Sequence, residues 1–229
     1  MLVGGFQKCS MIDYPDKLSA IVFAQGCNFR CPYCHNPELV LPEKFNVPMR
    51  EDEIIDFLKT RVGKLDGVVL TGGEISLQKD LFEFAKKVKD LGFLIKLDTN
   101  GSKPDVIKKF LDEKLVDYFA MDIKTSSKKY NMFFATKINF SNILNSIKII
   151  MNSGIDYEFR TTVVKTLLDK DDFIEIGELI KGAKKYYLQK FVPTKLFDES
   201  YVNAETYSDE EFEEIILILK KYVSFVSLR

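Results

Sequence analysis

The sequence predicts an α/β protein, namely a partial (β/α)6 TIM-like barrel that forms a single domain over residues 1–229. Three observations support this prediction. Short apolar runs alternate with longer segments of helical periodicity, which is typical of parallel βαβ units. Turn-forming residues separate most of these segments. Polar and thiol side chains follow the apolar runs, at the strand ends where such folds build their sites.

The first half of the chain contains three predicted strands, each an apolar run that ends in turn residues. They cover residues 18–23, 67–71 and 93–97. Two helices are predicted between these strands, at residues 50–62 and 78–91, because their apolar residues recur at helical spacing. Three acidic residues open the first helix, where the helix dipole favours negative charge, and Val62 is predicted on its buried face.

The second half of the chain repeats the cycle. Further strands are predicted at residues 116–123, 156–164 and 186–192, and further helices at residues 104–115, 140–152, 171–181 and 208–222. Pro104 suits the first turn of its helix, and Ser208 with Glu211 three residues later forms a capping-box pattern. The core of the domain is therefore predicted over residues 18–193, followed by a C-terminal helix at 208–222.

Composition and charge exclude several classes of function. Lysine and arginine total 33 and aspartate and glutamate total 34, so net charge gives no reason to expect nucleic acid or a membrane surface as a partner. No apolar run approaches the ~20 residues that span a bilayer, and the N-terminus does not resemble a signal peptide. Four cysteines, three of them clustered, do not form the paired pattern of a secreted protein. A cytoplasmic protein with reduced thiols is predicted.

Chemically capable side chains follow the predicted strands one after another. In chain order they are Cys27, Cys31 and Cys34 after the first strand; Gly72, Gly73 and Glu74 after the second; Asp98, Thr99 and Asn100 after the third; Asp122 and Lys124 at the end of the fourth; Arg160 in the fifth; Gln189 and Phe191 in the sixth. The carboxyl ends of parallel strands meet at one edge of a sheet, so these side chains are predicted to form one site.

The three clustered thiols form a C-x3-C-x2-C pattern. This spacing suits a [4Fe–4S] cluster held by three thiolates, with one iron left without a protein ligand. A zinc ion held by Cys27, Cys31, Cys34 and His35, the only histidine of the chain, is the alternative. Adjacent residues in an extended loop point in different directions, which disfavours zinc held by both Cys34 and His35. Cys9 stands alone near the N-terminus and is interpreted as incidental.

Each of the other loops also has a plain structural interpretation. Gly72 and Gly73 can form a tight turn, or they can let the backbone approach a ligand closely. Glu74 can accept hydrogen bonds from an ammonium group. Residues 98–101 can be an ordinary polar turn, or a cradle for ribose hydroxyls or a cation. Lys124 can be a solvated strand end or can pair with a carboxylate.

Four motifs make the chain resemble the radical S-adenosylmethionine (SAM) superfamily. They are Cys27-Asn-Phe-Arg-Cys31-Pro-Tyr-Cys34-His-Asn-Pro37, Thr71-Gly-Gly-Glu74, Leu97-Asp-Thr-Asn-Gly101 and Met121-Asp-Ile-Lys124. Within that superfamily the chain resembles the activating enzymes of glycyl-radical enzymes, particularly those of anaerobic ribonucleoside-triphosphate reductase. The likeness runs from Gly5 to Pro193; Ile75 stands where many relatives have proline, and residues 193–202 match poorly.

The resemblance implies a role for each matched residue. The cluster would be held by Cys27, Cys31 and Cys34. The amino and carboxylate groups of SAM would chelate the open iron, and Tyr33 would pack beside the adenine. The methionyl amino group would be bound by Gly72, Gly73 and Glu74. Asp98 and Asp122 would help to bind a monovalent cation near the SAM carboxylate, with Thr99 and Asn100 in the same polar cradle. Lys124 would lie near that carboxylate, and Arg160 would help to seat SAM.

The activity implied by the resemblance is that of a radical SAM oxidoreductase. The reduced cluster would pass one electron to SAM, and the resulting 5′-deoxyadenosyl radical would abstract hydrogen from a glycine of a partner enzyme. Anaerobic ribonucleoside-triphosphate reductase is the expected partner, with flavodoxin or ferredoxin as electron donor. Two alternatives stay open: a radical SAM enzyme that acts on a small molecule, and a non-catalytic zinc-binding module. Four cysteines are too few for a second cluster.

Overall fold

The computed structural model describes residues 1–135 and 139–229. Eight strands form one sheet in the order β1 to β8. Their bounds are β1 (Val3–Tyr14), β2 (Lys17–Ala24), β3 (Gly67–Gly72), β4 (Leu94–Thr99), β5 (Tyr118–Asp122), β6 (Asp156–Val163), β7 (Tyr186–Lys190) and β8 (Val226–Leu228). The β1–β2 pair is antiparallel, whereas the β2–β3, β3–β4, β6–β7 and β7–β8 pairs are parallel. The sheet is open, because β1 and β8 are its edge strands, and the predicted α/β partial barrel is confirmed.

Seven helices accompany the strands in the described part of the chain. They are α1 (Pro37–Val40), α2 (Glu51–Lys59), α3 (Leu81–Asp90), α4 (Pro104–Asp112), α5 (Phe140–Met151), α6 (Lys170–Leu179) and α7 (Asp209–Leu219). The predicted capping box of Ser208 and Glu211 opens α7, and Pro104 lies in the first turn of α4. The longest of these helices, α5, has 12 residues. No described helix is long and apolar enough to cross a membrane.

The six predicted strands correspond to β2–β7, and two further strands flank them. β1 contains two glycines, and register shifts interrupt its pairing with β2, so its inward and outward side chains do not alternate regularly. β8 has three residues, fewer than a periodicity argument requires. The prediction that Val62 is buried is wrong: α2 ends at Lys59, and Val62 is 53% exposed in the turn before Gly63, which has a φ of 73°.

The described chain divides into two compact units. The first unit comprises Met1–Asn28, Asn36–Thr99 and Lys103–Phe119, and the second comprises Phe29–His35, Asn100–Ser102 and Ala120–Arg229. That the whole chain is a single domain stays a prediction.

The first unit has a core of apolar side chains from β2, β3 and β4. The buried set includes Ala20, Val22, Val68, Leu70, Ile95 and Leu97 from the strands and Ile54, Leu58, Phe84, Val88, Ile107 and Phe110 from α2, α3 and α4. Strands covered on both faces are apolar at nearly every position, as β3 is. Lys96 of β4 is the exception, because it is buried in the middle of this apolar strand.

The second unit is built around β6 and β7. Its buried side chains include Phe159, Val163, Tyr186 and Leu188 from these strands and Ile143, Ile150, Phe173, Ile176, Phe212 and Ile215 from α5, α6 and α7. The Tyr186 hydroxyl donates to Thr161 Oγ1 at 2.6 Å, and the Thr161 hydroxyl donates to the carbonyl of Ile123 at 2.6 Å. This relay satisfies the buried hydroxyls and fixes the end of β5 relative to β6.

Candidate active site

The cysteine loop follows β2. Cys31 is 8% exposed, whereas Cys27 and Cys34 are half-buried, and none of the four cysteines forms a disulfide. The amide of Cys34 donates to the carbonyl of Cys31 at 3.0 Å, which closes a turn around Pro32 and Tyr33. Among residues 1–135 and 139–229, no group of three or more His, Cys, Asp or Glu side chains lies together at metal-binding distance.

Cys31 lies in a buried environment next to a positive charge. Burial raises the pKa of the Cys31 thiol to about 11, and the ammonium of Lys124 opposes that shift. Burial, together with Cys31, also raises the pKa of Tyr33 well above its usual value. The Tyr33 hydroxyl is buried, and no described residue gives it a hydrogen bond of ordinary geometry. Its ring packs edge-on against Phe133, with centroids 6.0 Å apart.

Asp122 joins two cations at the end of β5. Arg160 Nε donates to Asp122 Oδ1 at 2.8 Å, and Lys124 Nζ donates to Asp122 Oδ2 at 3.0 Å. Burial alone would raise the pKa of Asp122, but the two cations hold it well below its usual range. Burial alone would lower the pKa of Lys124, but Asp122 and then Cys31 keep it well above its usual value. All three side chains are therefore charged at neutral pH, and Lys124 has the carboxylate partner considered for it.

The backbone amide of Lys124 is also fixed by a hydrogen bond. It donates to the hydroxyl of Tyr130 at 3.0 Å, and Tyr130 is fully buried. Tyr130 opens a short 3-10 turn, Tyr130–Phe133, whose last carbonyl accepts from the amide of Arg30 in the cysteine loop at 2.8 Å. One turn thus positions both the Lys124 backbone and the cysteine loop. The sequence analysis did not identify Tyr130, because its aromatic signal is the same as that of a core residue.

Gly72 and Gly73 pack against backbone. Gly72 has a φ of 125°, and a Cβ atom there would lie 2.2 Å from the amide nitrogen of Ala24. A Cβ atom on Gly73 would lie 2.3 Å from the carbonyl oxygen of Gly26. Only glycine fits at these two positions, because any side chain would collide with the end of β2 and the loop that follows it.

Glu74 is fixed by donors on its own unit. It is 1% exposed, and its Oε1 atom accepts from the Ser76 amide at 3.1 Å, from the Ser76 hydroxyl and from the Thr99 hydroxyl at 2.7 Å. The structure therefore brings the loops after β3 and β4 together at one carboxylate. The sequence analysis singled out Glu74 and Thr99 separately but gave no sign that they share a hydrogen bond.

The loop after β4 has one acidic and one amide side chain with distinct partners. Asp98 Oδ1 accepts from Lys96 Nζ at 2.6 Å. Asn100 is buried, and its Oδ1 atom accepts from the Ser102 amide at 3.0 Å, which forms a polar turn at Gly101. The sequence analysis missed Lys96, although a lysine inside the apolar run 93–97 was a readable signal.

Residues 191–198, which we name the β7 strap, hold the cysteine loop from the other side. The amide of Phe197 donates to the carbonyl of Cys34 at 2.8 Å, and that of Asp198 donates to the carbonyl of Pro32 at 3.1 Å. His35 Nδ1 lies 3.2 Å from Thr194 Oγ1, and the imidazole stacks on Phe191 at 5.9 Å. The strap thus engages the imidazole that the zinc alternative would use as a ligand.

The predicted site residues fall into one group on each unit. The first unit carries Cys27, Gly72, Gly73, Glu74, Asp98 and Thr99. The second carries Cys31, Tyr33, Cys34, Asn100, Asp122, Lys124 and Arg160. Direct side-chain hydrogen bonds join Glu74 to Thr99 in the first group and join Asp122 to Lys124 and Arg160 in the second. Gln189, in β7, is half-buried.

Comparison with known proteins identifies the family. The sequence profile of the radical SAM superfamily matches residues 21–181, well over half of the chain. The chain belongs to the radical SAM superfamily. A Methanocaldococcus jannaschii protein, provisionally named a glycyl-radical enzyme activating enzyme, is 37% identical over 234 residues, covering 100% of this chain and 95% of that protein. This match places the radical SAM enzyme described here in the glycyl-radical enzyme activating family.

Two further comparisons agree with that placement. The pyruvate formate-lyase-activating enzyme of Streptococcus mutans is 29% identical over 206 residues, covering 84% of this chain and 76% of that protein. A domain of the pyruvate-formate lyase-activating enzyme of Bacteroides vulgatus has a similar structure, with a TM-score of 0.57 over 71% of this chain and 98% of that one. Its sequence identity is 17%, so this second likeness bears on the fold alone.

Radical SAM enzymes use a [4Fe–4S] cluster and SAM, and the cysteine loop carries side chains of the chemical type that such a cluster binds, although its three thiols are not gathered at metal-binding distance. None of the three thiols in the C-x3-C-x2-C pattern forms a disulfide, and the Lys124 ammonium beside Cys31 partly offsets the effect by which burial raises the pKa of that thiol. The buried hydroxyl of Tyr33 lies beside the Cys31 thiol and opposes the rise in the pKa of that thiol, so it is a polar group within the cysteine loop. This radical SAM enzyme therefore has the donor set that the cluster requires.

Proposed function

We propose that this radical SAM enzyme generates a glycyl radical on anaerobic ribonucleoside-triphosphate reductase. The observation that carries the proposal is the charged group of the second unit, in which the ammonium of Lys124 serves both the Cys31 thiol and the Asp122 carboxylate. A cation beside a thiolate ligand is suited to hold an anionic cofactor group near an iron–sulfur cluster. Two N-terminal stretches, Gly5-Phe6 and Ser10-Met-Ile-Asp-Tyr-Pro15, also resemble the activating proteins of that reductase, which supports the choice of partner.

The proposed ligands of the cluster are Cys27, Cys31 and Cys34. Tyr33 is proposed to pack beside the adenine of SAM, and the methionyl amino group to be bound by Gly72, Gly73 and Glu74. Lys124 is proposed to bind the SAM carboxylate, with Arg160 seating SAM and with Asp98, Thr99, Asn100 and Asp122 completing the polar cradle. When bound, the cluster would pass one electron from the electron donor to SAM, and the two groups would supply the radical chemistry that removes a hydrogen atom from the α-carbon of a partner glycine.

The protein's own residues are arranged before any ligand arrives. Glu74 is held by Ser76 and Thr99, so its carboxylate does not have to be ordered when an ammonium group binds. Asp122 holds Lys124 and Arg160 in one orientation through its two oxygens. The glycine pair brings the loop after β3 against the backbone of residues 24–26. Such preorganisation is how a site fixes a reactive group close to its target.

Pyruvate formate-lyase is the second candidate partner, because relatives at 28–32% identity are named for its activation. A flavodoxin or a ferredoxin is the proposed electron donor, and a cytoplasmic location is proposed from the clustered thiols that are not in disulfides.

The proposed role of Glu74 predicts weaker SAM binding in Glu74→Gln. The amide retains an oxygen for the Ser76 and Thr99 donors but lacks the negative charge that attracts an ammonium. A charge-assisted hydrogen bond contributes about 1.5–3 kcal/mol, so SAM affinity should fall roughly tenfold to a hundredfold with the cluster retained. Equilibrium SAM binding to the reconstituted protein measures the effect. Glu113→Gln, which alters a partly exposed carboxylate paired with Lys86 on the same unit, is the matched control. Unchanged SAM affinity in folded Glu74→Gln would remove the Glu74 charge from the site.

Deuterium transfer tests the reaction and the partner together. The reconstituted enzyme, a reductant and SAM are mixed anaerobically with either candidate enzyme carrying glycine deuterated at Cα. Deuterium is expected in 5′-deoxyadenosine, and a glycyl radical is expected by EPR, with anaerobic ribonucleoside-triphosphate reductase. A partner with alanine in place of the target glycine is the control and should transfer sharply less, because its methyl group crowds the approach.

Transfer from pyruvate formate-lyase alone would replace the first partner by the second. If neither enzyme donates deuterium while a small molecule is turned over rapidly, the protein belongs with the radical SAM enzymes that act on small molecules.

A further inference from the structure

Lys96 is a buried lysine that forms an ion pair with one acidic side chain, Asp98. It lies in the middle of β4, is 2% exposed and is flanked by the fully buried Ile95 and Leu97. Its Nζ atom lies 2.6 Å from Asp98 Oδ1, and the two residues project from the same face of the strand because they are two positions apart. The Asp98 side chain is 12% exposed, so the pair has an inner cationic end and an outer anionic end.

A charged lysine in an apolar core is costly. Taking an ammonium and a carboxylate out of water is offset only by good mutual geometry, and two apolar side chains of similar volume would often be at least as stable. The remaining positions of β3 and β4 around Lys96, including its register partner Val69, follow the apolar pattern of the core. Stability of the strand therefore does not explain a lysine at this position.

The chain was expected to bind a monovalent cation through Asp98 and Asp122. Such a site needs carboxylate charge that is not already neutralised by the protein. Asp98 forms an ion pair with the Lys96 ammonium, and Asp122 forms ion pairs with both Arg160 and Lys124. Each carboxylate is thus neutralised within its own unit, and the residues present do not fit an additional K⁺ or Na⁺ ion.

We propose that the Lys96 ammonium replaces the monovalent cation, so that this enzyme binds SAM without K⁺ or Na⁺. The inference rests on the proposed function only in placing Asp98 beside SAM. Lys96 acts through Asp98 and is a positioning residue: its positive charge fixes the Asp98 carboxylate and offsets its repulsion of the SAM carboxylate. A primary ammonium carries the same charge as K⁺ and, being covalently attached, remains in place at any salt concentration.

The test measures SAM binding to the holoenzyme, by equilibrium binding and by the SAM-induced change in the EPR spectrum of the reduced cluster. Three buffers of equal ionic strength contain tetramethylammonium, Na⁺ or K⁺ as the sole monovalent cation. Wild-type affinity is expected to differ less than about twofold among them. Lys96→Met, which keeps the length of the apolar stem, is expected to lose about tenfold in tetramethylammonium, the loss of one charge-assisted contact, and to regain affinity in Na⁺ or K⁺.

Lys89→Met is the matched control, since it removes a partly exposed lysine paired with Asp117 in the same unit, and its affinity is expected to match the wild type in all three buffers. Tenfold tighter wild-type binding in Na⁺ or K⁺ than in tetramethylammonium would overturn the inference. So would a Lys96→Met protein with undiminished affinity, or one whose loss is equal in all three salts. If Lys96→Met does not fold, the wild-type SAM affinities in the three buffers are sufficient to support or overturn the inference.

Failure of the proposed function has a different signature. It appears as absence of SAM binding in every salt, or as absence of a glycyl radical on either partner, and neither result depends on the choice of cation.

Discussion

Replacing Cys31 with alanine is expected to abolish SAM cleavage, and Cys27→Ala and Cys34→Ala are expected to do the same. Three thiolates leave one iron of a [4Fe–4S] cluster open for SAM, whereas two thiolates hold the cluster poorly. The measurements are the iron and sulfide content of each reconstituted variant, about four of each per chain when the cluster is intact, and the yield of 5′-deoxyadenosine under reducing conditions.

Cys9→Ala is the control for these variants. Cys9 is exposed on β1 and is not part of the cysteine loop, so this variant should keep its cluster and its activity. His35→Ala should also retain substantial iron, because the imidazole contacts Thr194 and Phe191. If His35→Ala empties the metal site as completely as Cys34→Ala does, and zinc at one ion per chain is found in the wild type, the four-ligand zinc alternative is correct.

Asp122→Asn is expected to lower the free energy of unfolding by about 3 kcal/mol, as well as to impair SAM binding. The variant leaves a guanidinium and an ammonium facing one neutral amide, and the three side chains are only 14–26% exposed, so removal of one partner from this largely desolvated charge network is strongly destabilising. Denaturant titration of the protein without cluster measures the stability. Asp112→Asn, which removes an exposed partner of Lys108, is the control and should cost under about 0.5 kcal/mol.

The pH dependence of this effect has a definite sign. Arg160 and Lys124 hold the pKa of Asp122 below its unfolded value against the effect of burial, so its contribution is present above the unfolded pKa and is lost as the pH falls towards the folded pKa. The difference in stability from Asp122→Asn should therefore be constant from about pH 5 to 8 and narrow below about pH 4. The proposed charge network would be contradicted if the stability lost in Asp122→Asn increases as the pH falls. It would also be contradicted if that loss is no larger than the loss in Asp112→Asn.

The central strands and helices could be predicted because their burial and their helix ends require recognisable residue patterns. β2 to β7 are apolar runs, and α7 has both halves of its capping box in the sequence. β1 could not be predicted in the same way. It is an edge strand with irregular pairing, so its buried and exposed side chains do not alternate as they do in a regular strand.

The sequence singles out candidate site residues by their positions after strands, but it does not indicate their hydrogen-bond partners. Glu74, Thr99, Asp122 and Lys124 were found from their positions after strands, yet which oxygen accepts from which donor depends on tertiary structure. The β7 strap was beyond sequence reasoning for a different reason. Phe197 and Asp198 hold the cysteine loop through backbone amides, which every residue except proline possesses, so no side-chain pattern marks them.

The β7 strap also has a consequence for the order of events during synthesis. His35 and its partner Thr194 are separated by 159 positions in the chain. At about 5–20 residues per second, the ribosome needs roughly ten to thirty seconds to add that length. During that interval the three thiols have already been synthesised, but the segment that orders their loop does not yet exist. Ordering of the cysteine loop is therefore expected to follow the synthesis of residues 191–198, and its thiols lack these contacts until then.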